Sequence, residues 1–280
     1  YENITKAAMV LKSSQPNVTR IIHLLEDQLD CRLFLREPRG LKLTEEGKRL
    51  YDHVAIACQH LLDAEAELCW NKNICSGTIE LGVTETALHL FLLKHLHGFQ
   101  QKYSDIKIRI QNNTTPGILK ALLNGRLDLA IVTTPFELND TFACEDLMTF
   151  REVPAGGSES RALAGHPMSL KEFRFHSIIG LGYGTASYEY YRKVFMEQTL
   201  DYERAMEVAT ADLVIPLLQN NLGVGFIPEP LAAPFFEDQS LVPLSLNVPL
   251  PSRDVKMLWD KSLSQSRAAI IYAVFEFIHR

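Results

Sequence analysis

The sequence predicts an α/β protein with a small helical head, a long connecting helix and a doubly wound body. Three observations predict it. Over residues 1–49, two short helical patterns precede two β-like runs around a Pro/Gly turn. A heptad pattern follows over residues 44–73, and strand and helix patterns then alternate from residue 77 to the end. At 280 residues the chain is too long for one ordinary domain and fits two or three. With 46% apolar and 22% charged residues it reads as globular rather than disordered.

In the head, Ile4, Ala7, Ala8 and Leu11 share one face of a first helix, which Ser13-Ser14 breaks. Ser14 followed by Gln15-Pro16 is a helix start: a hydroxyl cap, then a proline in the first turn, where it sacrifices no bond. The second helix puts Val18, Ile21, Ile22, Leu25 and Leu29 on one face. Its outward positions are Gln15, Asn17, Thr19, Arg20 and His23, polar types that bond base edges and phosphates in a major groove. The runs around Pro38-Arg39-Gly40 carry Arg36, Arg39 and Lys42, which suits a wing gripping a nucleic-acid backbone.

These residues resemble a known family. Thr5-Lys6-Ala7-Ala8, Ser14-Gln15-Pro16-Asn17-Val18-Thr19-Arg20-Ile21-Ile22, Leu25-Glu26, Leu33-Phe34, Arg36 and Leu43-Thr44-Glu45-Glu46-Gly47 look like the winged helix-turn-helix of LysR-type transcriptional regulators. The resemblance implies that Ser14, Gln15, Pro16, Asn17, Thr19, Arg20, Arg36 and Arg39 meet DNA. It also implies that the family's first helix is missing ahead of Tyr1, where an initiator Met is expected. The domain is expected over residues 1–49.

Thr44 can cap a helix running to about Asn73, roughly 45 Å long at 1.5 Å per residue. Leu50, Val54, Ala57, Leu61, Ala64 and Leu68 step alternately by four and three, an a/d seam that reads as a dimerisation helix. Two-fold pairing would present two recognition helices to a pseudo-palindromic operator. Tetramers are usual in the family.

The body opens after Cys75-Ser76-Gly77. Strands are expected at Ile79–Val83, Ile106–Ile110 and Leu127–Val132, with helices at Thr86–Tyr103 and Pro116–Asn124. That alternation calls for a parallel sheet. A second unit follows: strand Ser177–Gly182, helix Tyr188–Gln198, strand Val208-Ala209, helix Asp212–Asn220 and strand Val224–Ile227. A last strand, Val255–Trp259, leads to a helix over Ser264–Ile278. The resemblance implies two Rossmann-like lobes of periplasmic-binding-protein type, residues 77–150 plus 252–280 and residues 151–251. Residues 151–161, rich in Gly, Pro and Ser, read as a loop where the family has a hydrophobic strand.

Ligands of such sheets lie beyond the carboxyl ends of the strands, at helix N-termini. That rule selects Thr84, Glu85, Thr86, Thr114, Thr115, Thr133, Thr134, Thr185, Ser187 and Thr210, with Thr115 as the cap of its helix. So many hydroxyls suit a small polar metabolite. Glu85 either points away or selects an effector that is neutral or carries an amine.

The net charge of −6 argues against a uniformly basic nucleic-acid binder, yet residues 1–49 carry +2 and the remainder −8. The longest apolar run, Ala268–Phe275, is far short of a membrane span. No secretory signal is expected from the opening Tyr-Glu-Asn-Ile-Thr-Lys, and five Cys without a pairing pattern read as reduced cytoplasmic thiols. Gly180–Gly184 lacks the setting of a dinucleotide loop, and Gly156-Gly157-Ser158 that of a nucleophile elbow. His89, His95 and His97 are not spaced to share a metal, and Cys69 and Cys75 lack a His partner. No metal and no cofactor besides the effector is expected. The reading is a DNA-binding, effector-responsive regulator and not an enzyme. The alternative is a two-lobe solute-binding protein with a non-functional DNA-binding remnant.

Overall fold

The computed structural model describes residues 4–37, 40–69, 77–262, 274 and 277–278. The chain divides after Glu65 into two compact units.

The first unit begins with α1 (Ile4–Val10) and α2 (Gln15–Leu29). The Ser14 hydroxyl accepts the Asn17 N–H at 3.4 Å, Pro16 sits in the first turn, and Asp30 in the left-handed region stops the helix. Strands β1 (Phe34–Glu37) and β2 (Gly40–Leu43) pair antiparallel as a wing, and α3 (Glu45–Cys69) follows. The apolar face of α2 exists, but only Val18 is fully buried. Ile21, Leu25 and Leu29 are 53%, 39% and 46% exposed, because the short α1 buries only Ala8.

Glu26 compensates for the thin core. Its buried carboxylate accepts the N–H groups of Leu33 (2.8 Å) and Phe34 (3.2 Å) and a guanidinium N–H of Arg32 (2.8 Å), pinning the wing to α2. Burial alone would raise its pKa. The bonds from Leu33, Arg32 and Phe34 outweigh burial and hold it at about 2. At the start of α3 the Thr44 hydroxyl accepts the Gly47 N–H at 2.9 Å and donates to the Arg32 carbonyl at 2.7 Å. A Cβ on Gly47 would lie 2.0 Å from the Leu33 carbonyl oxygen, so only glycine lets the helix approach the wing this closely.

The second unit starts with β3 (Gly77–Val83), α4 (Glu85–Ala87), a π-helical turn (Leu88–Leu92), α5 (Leu93–Lys102), β4 (Ile106–Asn112), α6 (Thr115–Leu123), β5 (Leu129–Thr133) and β6 (Phe142–Phe150). It continues with β7 (Glu152–Gly156), a 3₁₀ turn (Ser158–Gly165), α7 (Leu170–Phe173), β8 (Ile178–Leu181), α8 (Ala186–Glu197) and β9 (Met206–Val208). After a second 3₁₀ turn (Ala211–Leu213) come α9 (Val214–Gln219), β10 (Val224–Pro228), α10 (Glu229–Glu237), β11 (Val242–Pro243) and β12 (Arg253–Asp260).

Two five-stranded sheets result, ordered β4-β3-β5-β12-β6 and β11-β7-β10-β8-β9. The strands that alternate with helices pair parallel as expected, and the remaining strands add antiparallel pairs. β3 pairs parallel with β4 and β5, and β8 with β9 and β10, whereas β12, β6, β7 and β11 pair antiparallel. The cause is the chain's double crossing between the sheets: β6 hands over to β7 at residue 151, and β12 returns after β11. Helices cover both faces of each sheet. Leu90 and Phe99 pack on one side of the first sheet, Ile118 and Leu122 on the other.

The loop expected over residues 151–161 is corrected. Glu152–Gly156 is a strand between β10 and β11, and residues 158–165 form the 3₁₀ turn. The Pro154 carbonyl accepts the Leu244 N–H at 2.9 Å. Its donor-less nitrogen therefore faces the two-residue strand β11, whose ladder with β7 extends only to Ala155. A Cβ on Gly156 would meet the Ser160 side chain at 2.3 Å, so the small residues serve close packing. The helix expected over 264–278 lies outside the described residues, apart from Val274, Phe277 and Ile278. Among the described residues no helix is long and apolar enough to cross a membrane.

Because the pKa of Glu26 is depressed from 4.5 to about 2, the stability it contributes is present above pH 4.5 and lost as pH falls toward 2. Glu26→Gln is expected to lower stability at neutral pH and to flatten that acid limb, as read by urea unfolding across the pH range.

Candidate functional site

Five chain segments converge on a cleft of about 320 Å³ between the two sheets. From the side of the first sheet come Thr84, Glu85 and Thr86 beyond β3, Asn112 to Thr115 between β4 and α6, and Thr133 at the end of β5. From the side of the second come Leu181, Thr185, Ala186 and Ser187 between β8 and α8, and Ala209 to Ala211 beyond β9. The segments are where they are because a strand that hands over to a helix leaves its last residues and the helix's free N–H groups at one sheet edge.

The hydroxyls divide by what they bond. Thr114 caps α6, accepting the Gly117 N–H at 3.4 Å, and Thr185 caps α8, accepting the Tyr188 N–H at 3.1 Å. The expected cap Thr115 is corrected. Extended backbone stands at Thr114, so the cap falls there, and the buried Thr115 hydroxyl donates to the Thr133 carbonyl at 3.2 Å. Thr84 stands at the cap position of α4 without capping, and its buried hydroxyl has no hydrogen-bond partner among the described residues. The Glu85 carboxylate accepts from the Asn112 amide at 2.6 Å and pairs with His89 at 2.7 Å, so both its oxygens are engaged at the rim.

Thr134 is the member of the expected set that does not line the cleft. Its hydroxyl accepts the Asp254 N–H at 2.9 Å and its carbonyl accepts from Arg253. Sequence reasoning missed Asn112, Asn113, Leu181, Ala186, Ala209 and Ala211, which stand one to four residues from selected positions, and it missed Arg253 beneath the cleft floor. Asn113, Ala186, Ala209 and Ala211 could have been found by taking the residues on either side of each selected hydroxyl. A lone Arg after Pro-Ser carried no signal.

In the head, Gln15, Pro16, Thr19, Arg20, His23, Leu24 and Asp27 line an open groove along α2. The Thr19 hydroxyl donates to the Gln15 carbonyl at 3.0 Å, and Arg20 donates to the Asn17 side-chain oxygen at 3.3 Å. Asn17 in turn donates to the Ser13 hydroxyl at 3.0 Å, which orients it at the helix start beside Ser14. Arg36 lies on β1 opposite Leu41, and Arg39 lies outside the described residues. On α3, Leu50 is half-buried, Ala57 exposed, and Val54 and Leu61 are 46% and 67% exposed. Ala64 and Leu68 are on the same helix, with side chains outside the described residues.

Residues 1–48 match the family described as "Bacterial regulatory helix-turn-helix protein, lysR family", and residues 75–278 match "LysR substrate binding domain". The chain belongs to the LysR family of transcriptional regulators. It is 27% identical over 228 residues to the HTH-type transcriptional regulator YofA of Bacillus velezensis, covering 81% of this chain and 75% of YofA. Its fold is similar to that of a full-length OxyR variant from Pseudomonas aeruginosa (TM-score 0.68, 18% identity, 99% of this chain and 89% of that one). It is also similar to the effector-binding domain of QuiR in complex with shikimate (TM-score 0.62, 19% identity, 73% of this chain and 98% of that one).

Like the family, this LysR chain joins a DNA-binding head to an effector-binding domain, and the family comprises regulators rather than enzymes. The solute-binding alternative is thereby set aside, since head and body both match. Among the described residues no group of three or more His, Cys, Asp or Glu could hold a metal ion. His89, His95 and His97 each bond within their own helical turn, to Glu85, the Phe91 carbonyl and Gln101. Cys31, Cys58 and Cys144 are free thiols, and burial pushes the Cys144 pKa up. Cys69 ends α3 with its side chain outside the described residues, as is all of Cys75.

Thr84→Val removes an unpartnered buried hydroxyl at constant shape. It is expected to leave the unliganded chain as stable as before, or more stable by about 1 kcal/mol. Thr115→Val deletes a donor whose acceptor stays buried and is expected to cost about 1 kcal/mol. Urea unfolding of the two variants checks the contrast.

Proposed function

We propose that this regulator binds a pseudo-palindromic operator as a homodimer paired through α3, assembling further to a tetramer, in the cytoplasm. A small polar metabolite held in the cleft sets its activity. The observation that carries the reading is the cleft itself. Its walls come from both sheets, its polar groups stand at helix N-termini, and one of them, the Thr84 hydroxyl, is buried with nothing to bond among the described residues. The effector contacts are Thr84, Glu85, Thr86, Thr114, Thr115, Thr133, Thr185, Ser187 and Thr210, joined by Asn112 and Asn113. Bonds from His89 and Asn112 fix the Glu85 carboxylate at the rim without removing its charge, which favours an effector that is neutral or carries an amine. The QuiR domain of similar fold is in complex with shikimate, which supports a ligand of modest size.

Gln15, Thr19 and Arg20 read base edges, while Ser14, Pro16 and Asn17 set the start of the recognition helix against the backbone and Arg36 and Arg39 grip phosphates. Val54, Ala57 and Leu61 are exposed along one stripe of α3, an apolar seam that needs a partner, and Leu50, Ala64 and Leu68 extend it. Binding energy from an effector that spans the cleft favours one lobe arrangement over another.

Selection from random duplex DNA is the direct test. Enrichment of a pseudo-palindrome is expected, and a library that stays random would overturn the operator reading. Arg20→Ala should weaken binding to the selected site by roughly 1–3 kcal/mol and relax specificity at the position it reads, and a loss that is uniform across sequences would place Arg20 on a phosphate instead. Leu61→Asp should give monomers by light scattering and lose operator binding.

A further inference from the structure

Arg253 opens β12 where the chain returns to the first sheet, and it is 1% exposed. Its guanidinium serves four oxygens. Nε donates to the Thr134 carbonyl at 2.8 Å. Nη1 donates to Glu152 Oε1 and, at 3.0 Å, to the Ser187 hydroxyl. Nη2 donates to the Thr133 hydroxyl at 3.2 Å. The rings of Tyr190 and Phe150 lie 5.1 Å and 5.4 Å from it. The Tyr190 hydroxyl donates to the Pro251 carbonyl, which ties α8 to the same crossing.

These partners belong to both sides of the cleft. Thr133 ends β5 in the first sheet. Glu152 opens β7 at the other crossing, and Ser187 lies in the first turn of α8 beside the second sheet. Thr133 and Ser187 are also cleft-lining residues. One charged group thus bonds two opposing hydroxyls of the cleft, and through Glu152 it joins one crossing to the other, where Arg253 itself stands.

The bonds are unequal. The Arg253–Glu152 pair is buried on both sides, so neither ion can leave the other without stranding a charge. The arms to Ser187 and Thr133 are charge-assisted bonds to neutral hydroxyls, at 3.0 and 3.2 Å, and each is weaker than the ion pair. A ligand group that takes either hydroxyl can replace such an arm without unpairing the ions. The ion pair is therefore the fixed point, and the two hydroxyl arms are the parts that can move.

We infer that Arg253 is a positioning residue that clamps Thr133 and Ser187 at the spacing of the unliganded cleft, and that occupancy of the cleft reaches the two crossings by loosening those arms. The regulatory meaning rests on the cleft being the effector site. The clamp itself is a property of the unliganded chain, so it is tested without ligand, and a cleft that binds nothing would leave this result unaffected.

The test is amide hydrogen exchange of the full chain, following Thr134 and Asp254 on one side and Glu189 and Tyr190 on the other. Ser187→Ala is expected to speed exchange about fivefold on its own side and also across the cleft, at Thr134 and Asp254. Thr133→Val should do the reverse, reaching Glu189 and Tyr190. In Arg253→Lys both sides are already fast, because an ammonium cannot span this acceptor set, and adding Ser187→Ala should change nothing further. Should Arg253→Lys not fold, the two hydroxyl variants decide alone, through the reciprocity of their effects. Exchange that changes only on the mutated side, with the two variants simply additive, would overturn the clamp.

Discussion

A guanidinium buried to 1% exposure must be bonded on every side or it costs the fold several kcal/mol. Meeting that requirement at Arg253 brings together residues far apart in the chain: Thr133 and Thr134 at the end of β5, Glu152 at the start of β7 and Ser187 in α8. The two crossings between the sheets must therefore lie side by side, and the strand ends that bear the cleft hydroxyls must face one another. The antiparallel placement of β12 between β5 and β6 is part of the same arrangement, since it delivers Arg253 to the end of the sheet where β5 stops.

The cleft was legible in the sequence because its polar groups double as helix starts. A Thr or Ser between an apolar run and a helical pattern has a reason to be there whatever the ligand, and the rule that ligands sit at strand ends does the rest. Thr134 shows the limit of that rule. It is next to Thr133, but it lies in the bend just past β5, and its hydroxyl accepts the Asp254 N–H instead. Arg253 was not legible at all, because its partners lie 66 to 120 residues away and nothing local marks it.

The helices of the head were legible from their caps, and β7 was not, for a related reason. Composition reports local conformational preference, whereas Pro154 and Gly156 answer to tertiary packing: one sits where a donor is not needed, the other where a side chain would not fit. The strand β6 was likewise hidden, because Phe142–Phe150 is largely half-buried and its apolar residues do not alternate with polar ones. The net charge also misled until it was divided. The head's +2 is local, and the −8 of the remainder lies in the linker helix and the effector-binding domain.

Gly47 has a mechanical consequence. With no side chain there, the first turn of α3 rests on the Leu33 carbonyl, while Thr44 bonds the backbone on both sides of the contact. The long helix is thus welded to the wing rather than jointed to it. A lever welded at one end passes torque undiminished, and a small angular displacement along α3 becomes a displacement of the wing strands. A bulkier residue at position 47 would turn the weld into a loose pin.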